Sequence, residues 1–378
     1  MLVTLSEDQE FFRQTTERFL VEQAAPATLR ALRDDTVGFD PSYWRRGAEL
    51  GWTSLLVGAA HGGGSISDNG LVDLSLVAYE FGRHAAPGPL VATNVVAGTL
   101  DAHGSHPEVV EGLVSGGQFA TWCAPEGSPD PRTWPLGVEL RRDGETVVLD
   151  GAVQPVESAG QADHLLVTAR DGGGVTQVLV PAGAEGLSVA PLHTVDLTKR
   201  FGAVRLDQVR LPAAAVVGPA GQARGDVERQ FLQAIALLNA EAVGSMQAAF
   251  DMTVEWAFDR YTFGRPLASY QALKHRFADS MAWLEASHAI SDAACRAVGE
   301  GSASAEELSS AAKAFVGQYG ADIVHDCVQI HGGIGVTFEH DLHLFVRRFT
   351  VNRALAGTPG LHRQRVGAIV DDREGDAA

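Results

Sequence analysis

The chain is poor in cysteine and in positive charge. Its 378 residues contain three cysteines, Cys123, Cys295 and Cys327, and no C-x-x-C pair, which argues against a disulfide framework and a cysteine-based zinc site. Lysine and arginine number 29 against 47 aspartates and glutamates, so the formal net charge is −18. This acidic balance argues against nucleic acid or an anionic membrane surface as the main partner.

Segments directed at a membrane are also missing. The N-terminus has no basic stretch followed by an apolar run, as a signal peptide would. The most apolar window, residues 231–250, still contains Gln233, Asn239 and Glu241, which indicates a buried helix rather than a membrane span. The sequence therefore predicts a cytoplasmic protein without a membrane partner.

Two motif classes are absent as well. No G-x-G-x-x-G follows a strand, and strands do not alternate with helices, so a Rossmann fold is not expected. His340 and His343 could share a helix face, but neither a His-Glu-x-x-His motif nor a nearby cysteine accompanies them. We expect no metal site.

The secondary-structure pattern that is present changes twice along the chain. The first third is helical and begins with a capping box at Ser6 and Gln9. Short valine-rich runs separated by turns such as Asp171-Gly-Gly-Gly174 then predict hairpins. Long helical patterns follow, at about 227–260, 268–299, 304–331 and 338–355. We predict an α+β multidomain protein with an N-terminal helical domain (1–117), a middle antiparallel β domain (118–218) and a C-terminal four-helix bundle (219–378).

Glu241 is the one charged residue within residues 231–250. Burying a carboxylate is costly unless it is paired, and burial tends to raise its pKa. A carboxylate of this kind is a candidate general base. The alternative is a structural role, with Glu241 on an exposed edge or paired with an arginine.

Two runs near the ends of predicted helices suit a ligand. In Arg260-Tyr-Thr-Phe-Gly-Arg265-Pro266, donors on Arg260 and Thr262 flank the aromatic Phe263, which suits a phosphate-bearing ligand. In Gln329-Ile-His-Gly-Gly-Ile-Gly335, the glycines permit close approach of the backbone to a ligand. A helix-dipole partner and an ordinary helix C-cap are the alternatives.

Taken in order, these runs resemble the acyl-CoA dehydrogenase family over nearly the whole chain. The motifs that carry the resemblance are Leu50-Gly51-Trp52, His61-Gly-Gly63, Glu80-Phe-Gly-Arg83, Pro87-Gly-Pro89, Leu149-Asp-Gly151, Ala162-Asp163, Arg260-x-Thr-Phe-Gly-Arg-Pro266, Gln271, His275, Ala278-Asp279 and Gln329-x-x-Gly-Gly-x-Gly335. The resemblance implies FAD-dependent α,β-desaturation of an acyl-CoA thioester. It also implies an electron-transfer flavoprotein as electron acceptor and a homo- or heterotetramer.

The resemblance assigns the cofactor-binding residues by motif. In the family, these motifs contact the phosphates or the adenine of the FAD that the neighbouring subunit holds. The residues expected to make these contacts here are Arg260, Thr262, Phe263, Gln271, Gln329, Gly332 and Gly333. A partner acting through these contacts would be a sister acyl-CoA dehydrogenase subunit.

The sequence departs from the family where a base is expected. The position that usually holds the base in the family, just before Gly-Thr, is Ala356 here. Some members have the base early in the helix that contains residues 231–250, and that position is Ala234 here. Glu241 lies seven residues after Ala234, about 10 Å along a helix axis. We therefore assign Glu241 as the candidate catalytic base of a chain that acts on an unusual acyl-CoA.

The region that meets the flavin ring departs too. The family's flavin loop is shortened to Ala124-Pro-Glu-Gly-Ser-Pro-Asp130, and Glu157 replaces a neutral donor, which would disfavour an anionic reduced flavin. Three interpretations follow: a heteromer subunit that serves a partner's FAD, a homomer with Glu241 as base, and a non-enzymatic scaffold subunit. The sequence does not separate a dehydrogenase from an oxidase.

Overall fold

A computed structural model of the chain describes residues 5–35, 37–123 and 136–376. In chain order the helices are α1 (Glu7–Gln23), α2 (Pro26–Ala31), α3 (Pro41–Glu49), α4 (Gly70–Arg83), α5 (Leu90–Ala102), α6 (Pro107–Val114), α7 (Arg224–Asp259), α8 (Gln271–Gly299), α9 (Ala305–His331), α10 (Leu342–Ala354) and α11 (Pro359–Asp376). The strands are β1 (Ala120–Cys123), β2 (Val138–Asp143), β3 (Thr146–Glu157), β4 (His164–Asp171), β5 (Gly174–Pro181), β6 (Leu187–Leu192), β7 (Phe201–Pro212), β8 (Val216–Val217), β9 (Tyr261–Thr262) and β10 (Arg265–Pro266).

The sequence of helical, β and helical segments confirms the predicted fold class. The capping box at the start of α1 is formed, because the Ser6 side chain accepts from the Gln9 amide while the Gln9 side chain accepts from the Ser6 amide. Ser304 precedes α9, and its side chain caps no backbone amide. None of the helices in the described ranges is long and apolar enough to cross a membrane.

The central sheet is mixed, whereas the sequence predicted an antiparallel one. Its strand order is β6-β7-β3-β2-β4-β5-β8, and β1 pairs with β4 in parallel. A parallel pair needs a long connection, which the β2–β3 hairpin provides between β1 and β4. The inward-facing side chains of the strands, including Val147, Leu149, Val167, Val178 and Val204, form a buried core.

The chain divides into two compact units. The helical unit contains the residues up to Arg30, Ser75–Ala86 and the residues from Ile235 onward, and the sheet unit contains Ala31–Leu74 and Pro87–Ala234. The three domain ranges inferred from the sequence stay a prediction.

Within the helical unit, α4 and α7 cross at two glycines. A Cβ atom on Gly82 would lie 1.9 Å from the carbonyl oxygen of Glu241, and one on Gly244 would lie 2.0 Å from that of Tyr79. Only glycine permits this approach of the two backbones. The crossing fixes Glu241 beside the C-terminal turn of α4.

Candidate functional site

Glu241 forms a buried ion pair. Arg348, from α10, donates from Nη1 to Glu241 Oε1 at 2.5 Å, and the two side chains are 0% and 4% exposed respectively. Arg348 Nη2 also donates to the carbonyl oxygens of Ala85 and Ala86, at 3.2 and 3.0 Å. One guanidinium therefore ties α10 to α7 and to the chain that leaves α4.

This geometry bears on the two interpretations of Glu241. A carboxylate that forms a buried ion pair with an arginine has a structural role, which supports the arginine-pairing alternative. The role of Glu241 as base stays a prediction. Sequence reasoning missed Arg348, although a signal existed, because this cation shares the buried face of α10 with Leu344 and Phe345.

The two positions where the resemblance expects a base carry methyl groups. Ala234 is buried in α7, and Ala356 follows α10 with a left-handed φ of 57°. The Ala356 carbonyl accepts a hydrogen bond from His362 Nε2 at 2.8 Å, so the turn is held by its backbone. Neither methyl group accepts a proton.

A short hairpin carries three of the predicted cofactor-binding residues. Strands β9 and β10 pair Thr262 with Arg265, and Phe263 lies at the tip with a positive φ of 49°. Its ring is 98% exposed, and Arg260, just before the hairpin, is exposed as well. The hairpin thus presents an aromatic ring and a cation to solvent.

Aromatic stacking joins this hairpin to the glycine run. Trp256, near the end of α7, stacks on His331 with ring centroids 5.2 Å apart, and the guanidinium carbon of Arg260 lies 5.9 Å from the Trp256 ring. His331 belongs to the run that contains Gln329 and Gly332. Two of the predicted motifs therefore meet at one end of the helical unit.

His331 is held as a neutral ring. Its Nδ1 lies 2.8 Å from the carbonyl oxygen of Cys327, an acceptor, so Nδ1 carries the proton. Burial lowers the pKa of His331, and the hydrogen bond to Cys327 opposes that shift. Sequence reasoning missed Trp256 and His331, because the contact between the two motifs is made by tertiary packing.

The start of α8 joins the same end of the unit. Arg276 Nη1 donates to Asp326 of α9 at 3.0 Å, and Gln271 is exposed beside His275, with 3.2 Å between side-chain nitrogens. Gln329, Gly332 and Gly333 are exposed, and a Cβ atom on either glycine would meet no heavy atom within 4 Å. All seven predicted cofactor-binding residues are thus exposed or half-buried.

The charge of one segment at this end differs from that of the whole chain. Residues 260–276 contain Arg260, Arg265, Lys274 and Arg276 and no acidic residue, within a chain of net charge −18, although Arg276 pairs with Asp326 of α9. Such a local excess of cations attracts an anionic group. Sequence and geometry together make this face suitable for a pyrophosphate-bearing ligand.

The sheet unit contains a second ion pair, which is partly buried. Lys199 Nζ donates to Glu157 Oε1 at 2.9 Å, and the Lys199 side chain is 4% exposed. The Asp196 carboxylate fixes the turn before Lys199 by accepting from the Thr198 amide and hydroxyl, at 2.8 and 2.9 Å. The negative charge of Glu157, which the resemblance placed at the flavin ring, is therefore offset by Lys199. The shortened loop Ala124–Asp130 lies outside the described residues.

One group of candidate metal ligands occurs in the described part of the chain. Glu17, Glu80 and His84 place ligand atoms within 4.8 Å of one another. Arg13 donates to both carboxylates, at 3.3 and 2.6 Å, and so competes with any cation. This group is a salt-bridge network rather than an open metal site.

Comparisons with known proteins agree with the resemblance. Residues 6–108 match acyl-CoA dehydrogenase, N-terminal domain, and residues 223–370 match acyl-CoA dehydrogenase, C-terminal domain. Acyl-CoA dehydrogenase IpdE2 of Mycolicibacterium smegmatis is 29% identical over 97% of this chain and 100% of that protein. Mitochondrial isobutyryl-CoA dehydrogenase of Bos taurus is 26% identical over 96% of this chain and 88% of that protein.

A solved structure leads to the same conclusion. A variant of the Tcur3481-Tcur3483 steroid ACAD superposes with a TM-score of 0.88 at 28% identity, over 99% of this chain and 100% of that one. The chain belongs to the acyl-CoA dehydrogenase family of FAD-dependent oxidoreductases that act on acyl-CoA.

Proposed function

We propose that the chain is a subunit of an acyl-CoA dehydrogenase heteromer, in which its hairpin face completes the FAD site of a sister subunit. The observation that carries this proposal is Phe263, a ring 98% exposed on a hairpin that also presents Arg260 and Thr262. Burying a phenylalanine is favourable by about 1.5–3 kcal/mol, so the complex would gain free energy of this size if another molecule covered Phe263.

The residues of this face fit FAD. The cations of residues 260–276 suit its pyrophosphate, Phe263 offers a ring for its adenine, and the open backbone at Gly332 and Gly333 permits close approach. Bound FAD would supply the acceptor for the hydride that leaves the β carbon of the thioester. The contribution of this chain is binding and orientation of the cofactor, and the electrons pass on to an electron-transfer flavoprotein.

The proton acceptor is the point at which heteromer and homomer differ. Ala356 and Ala234 accept no proton, and Glu241 is held by Arg348. In the heteromer, the sister subunit supplies the base. The second candidate is a homomer in which Glu241 leaves Arg348 to remove the α proton.

A ring-bearing acyl group is the substrate class that we propose. The support is the name of the superposed structure, a steroid ACAD, to which this chain is 28% identical along almost its full length. A competition assay of the heteromer with a steroid-ring thioester and butyryl-CoA tests this point, and preference for butyryl-CoA would contradict it.

The first experiment measures FAD content. The chain purified alone is expected to hold well under one FAD per subunit, and the complex with a sister subunit to recover it. One FAD per subunit in the chain alone would instead favour the homomer. In that case Glu241→Gln should abolish turnover, whereas undiminished turnover would exclude Glu241 as base.

The second experiment tests the hairpin face in the complex. Phe263→Ala is expected to weaken FAD binding roughly tenfold, equivalent to about 1.4 kcal/mol. Phe11→Ala is the matched control, because Phe11 is 67% exposed on α1 and belongs to no motif. Equal FAD affinity in the two variants would contradict the proposal.

A further inference from the structure

The hairpin at residues 261–266 has little intrinsic stability. Each of its strands, β9 and β10, is two residues long, and an isolated two-stranded hairpin is marginal in water. Phe263 adds strain, because a bulky side chain rarely adopts a φ of +49°. Contacts from outside the ladder must hold this conformation.

Tyr270 provides the main contact. It immediately precedes the 29-residue helix α8, and its Oη donates to the carbonyl oxygen of Thr262 at 2.8 Å. The guanidinium of Arg265, on the opposite strand, lies 4.0 Å from the centre of the Tyr270 ring. One aromatic ring therefore contacts both strands of the hairpin, on either side of Phe263.

A backbone hydrogen bond closes the base of the hairpin. The Leu267 amide donates to the carbonyl oxygen of Arg260 at 2.8 Å. This contact fixes where the hairpin starts and ends but does not reach its tip. The conformation of the Thr262–Gly264 tip therefore depends on Tyr270 and Arg265.

We propose that Tyr270, with Arg265 stacked on it, is a positioning residue that holds Phe263 in the orientation that receives the sister subunit's cofactor. This inference rests on the proposed function, because that function supplies the ligand of the hairpin tip, the FAD of the sister subunit. Tyr270 itself need not touch the cofactor. It acts through the carbonyl of Thr262 and the ring-to-guanidinium contact with Arg265.

The hairpin contains its own control. Tyr261 is an exposed tyrosine, whereas Tyr270 is half-buried, and the Tyr261 hydroxyl has no hydrogen-bond partner among residues 5–35, 37–123 and 136–376. Tyr261→Phe and Tyr270→Phe each remove a hydroxyl group that lies at the hairpin. Only the second removes a contact.

The test uses two readouts. Hydrogen exchange of the backbone amides of residues 261–265 is measured in the full chain, and the Kd for FAD is measured by titrating the complex after FAD has been removed. Loss of one hydrogen bond predicts roughly three- to tenfold faster exchange and a similar loss of FAD affinity in Tyr270→Phe. Tyr261→Phe should match wild type in both.

The outcomes separate this inference from the proposed function. Unchanged exchange in Tyr270→Phe overturns the positioning role. Faster exchange with unchanged FAD affinity also overturns it, provided that Phe263→Ala still weakens FAD binding. If neither Phe263→Ala nor Tyr270→Phe alters the Kd for FAD, the proposed function fails, and the role of Tyr270 fails with it.

Discussion

Two carboxylates, one in each unit, each form an ion pair with a buried cation, although the sequence suggested a different task for each. Glu241 of the helical unit pairs with Arg348, 107 residues away, and Glu157 of the sheet unit pairs with Lys199, 42 residues away. Both occupy positions where the resemblance led us to expect chemistry. An unusual carboxylate in a sequence is thus weak evidence for reactivity until its partner is known.

The hairpin face shows the opposite arrangement. The Arg260 side chain forms no salt bridge within the described ranges and lies against the Trp256 ring. Its charge, unlike those of Arg348 and Lys199, faces solvent. The comparison distinguishes cations that stabilise the fold from cations that remain available for a ligand.

The largest effect is expected at the helical-unit pair. Arg348→Met leaves the Glu241 charge buried without its main partner and should lower the free energy of unfolding by about 3–5 kcal/mol. Urea denaturation at pH 7 measures this change. The double variant Glu241→Leu/Arg348→Met removes both charges and should recover most of the loss. If the free energy of unfolding of Arg348→Met were within about 1 kcal/mol of the wild-type value, the ion pair would not stabilise the fold.

The sheet-unit pair should give a smaller effect. Glu157 is half-buried, so water can solvate part of its charge once Lys199 is removed. We expect Lys199→Met to lower the free energy of unfolding by about 2 kcal/mol. Urea denaturation of Lys199→Met and Arg348→Met under identical conditions compares the two pairs. A loss in Lys199→Met equal to or above that in Arg348→Met would contradict the comparison.

A third carboxyl, Asp292, forms no ion pair within the part of the chain that the structure describes, and it should respond to pH. Asp292 and His288 lie on α8 around a cavity of about 20 Å³, which Ser75 and Tyr79 also line. Burial raises the pKa of Asp292 from 3.8 to about 6 and lowers the pKa of His288 from 6.5 to about 3.

The two shifts have opposite signs. Between about pH 4 and pH 6 the folded chain keeps a proton on Asp292 that the unfolded chain has lost, so this group lowers stability as pH rises. Between about pH 3 and pH 6.5, the unfolded chain binds a proton on His288 that the folded chain does not bind. The contribution of His288 to stability therefore rises with pH over this interval. Asp292→Asn removes only the first effect.

The measurement follows from that difference. Urea denaturation at about pH 4 and pH 6 should show that Asp292→Asn gains about 1–2 kcal/mol over that interval relative to wild type, a value reduced for partial solvation of Asp292. Parallel pH curves for the two proteins would show that Asp292 titrates normally.

The smallest stability effect is expected at Phe263. Its exposed ring makes little contact with the chain, so Phe263→Ala should change the free energy of unfolding by less than about 0.5 kcal/mol. Phe349→Ala, at a buried position of α10, should lose about 3–5 kcal/mol and serves as the contrast. A large loss at Phe263 would mean that the hairpin packs within the chain rather than against a ligand.

Local signals account for the parts of the fold that were predicted well. The Ser6 capping box, the long helices and the valine-rich strands are all specified by residues near one another in the chain. Helix α11 was missed, although it begins with Pro359 and proline is common at the first helical position. The parallel pairing of β1 with β4 was missed because no local pattern encodes which strand becomes the neighbour.

The sequence by itself determined the family, the order of helical and β segments, and the residues of the hairpin and glycine motifs, because periodicity, turns and motif spacing are local properties. Only the tertiary structure decided that Arg348 neutralises Glu241, that Lys199 neutralises Glu157, and that Trp256 and His331 join two motifs at one face. The physical reason is that burial and ion pairing depend on side chains far apart in the chain, which only packing brings within contact distance.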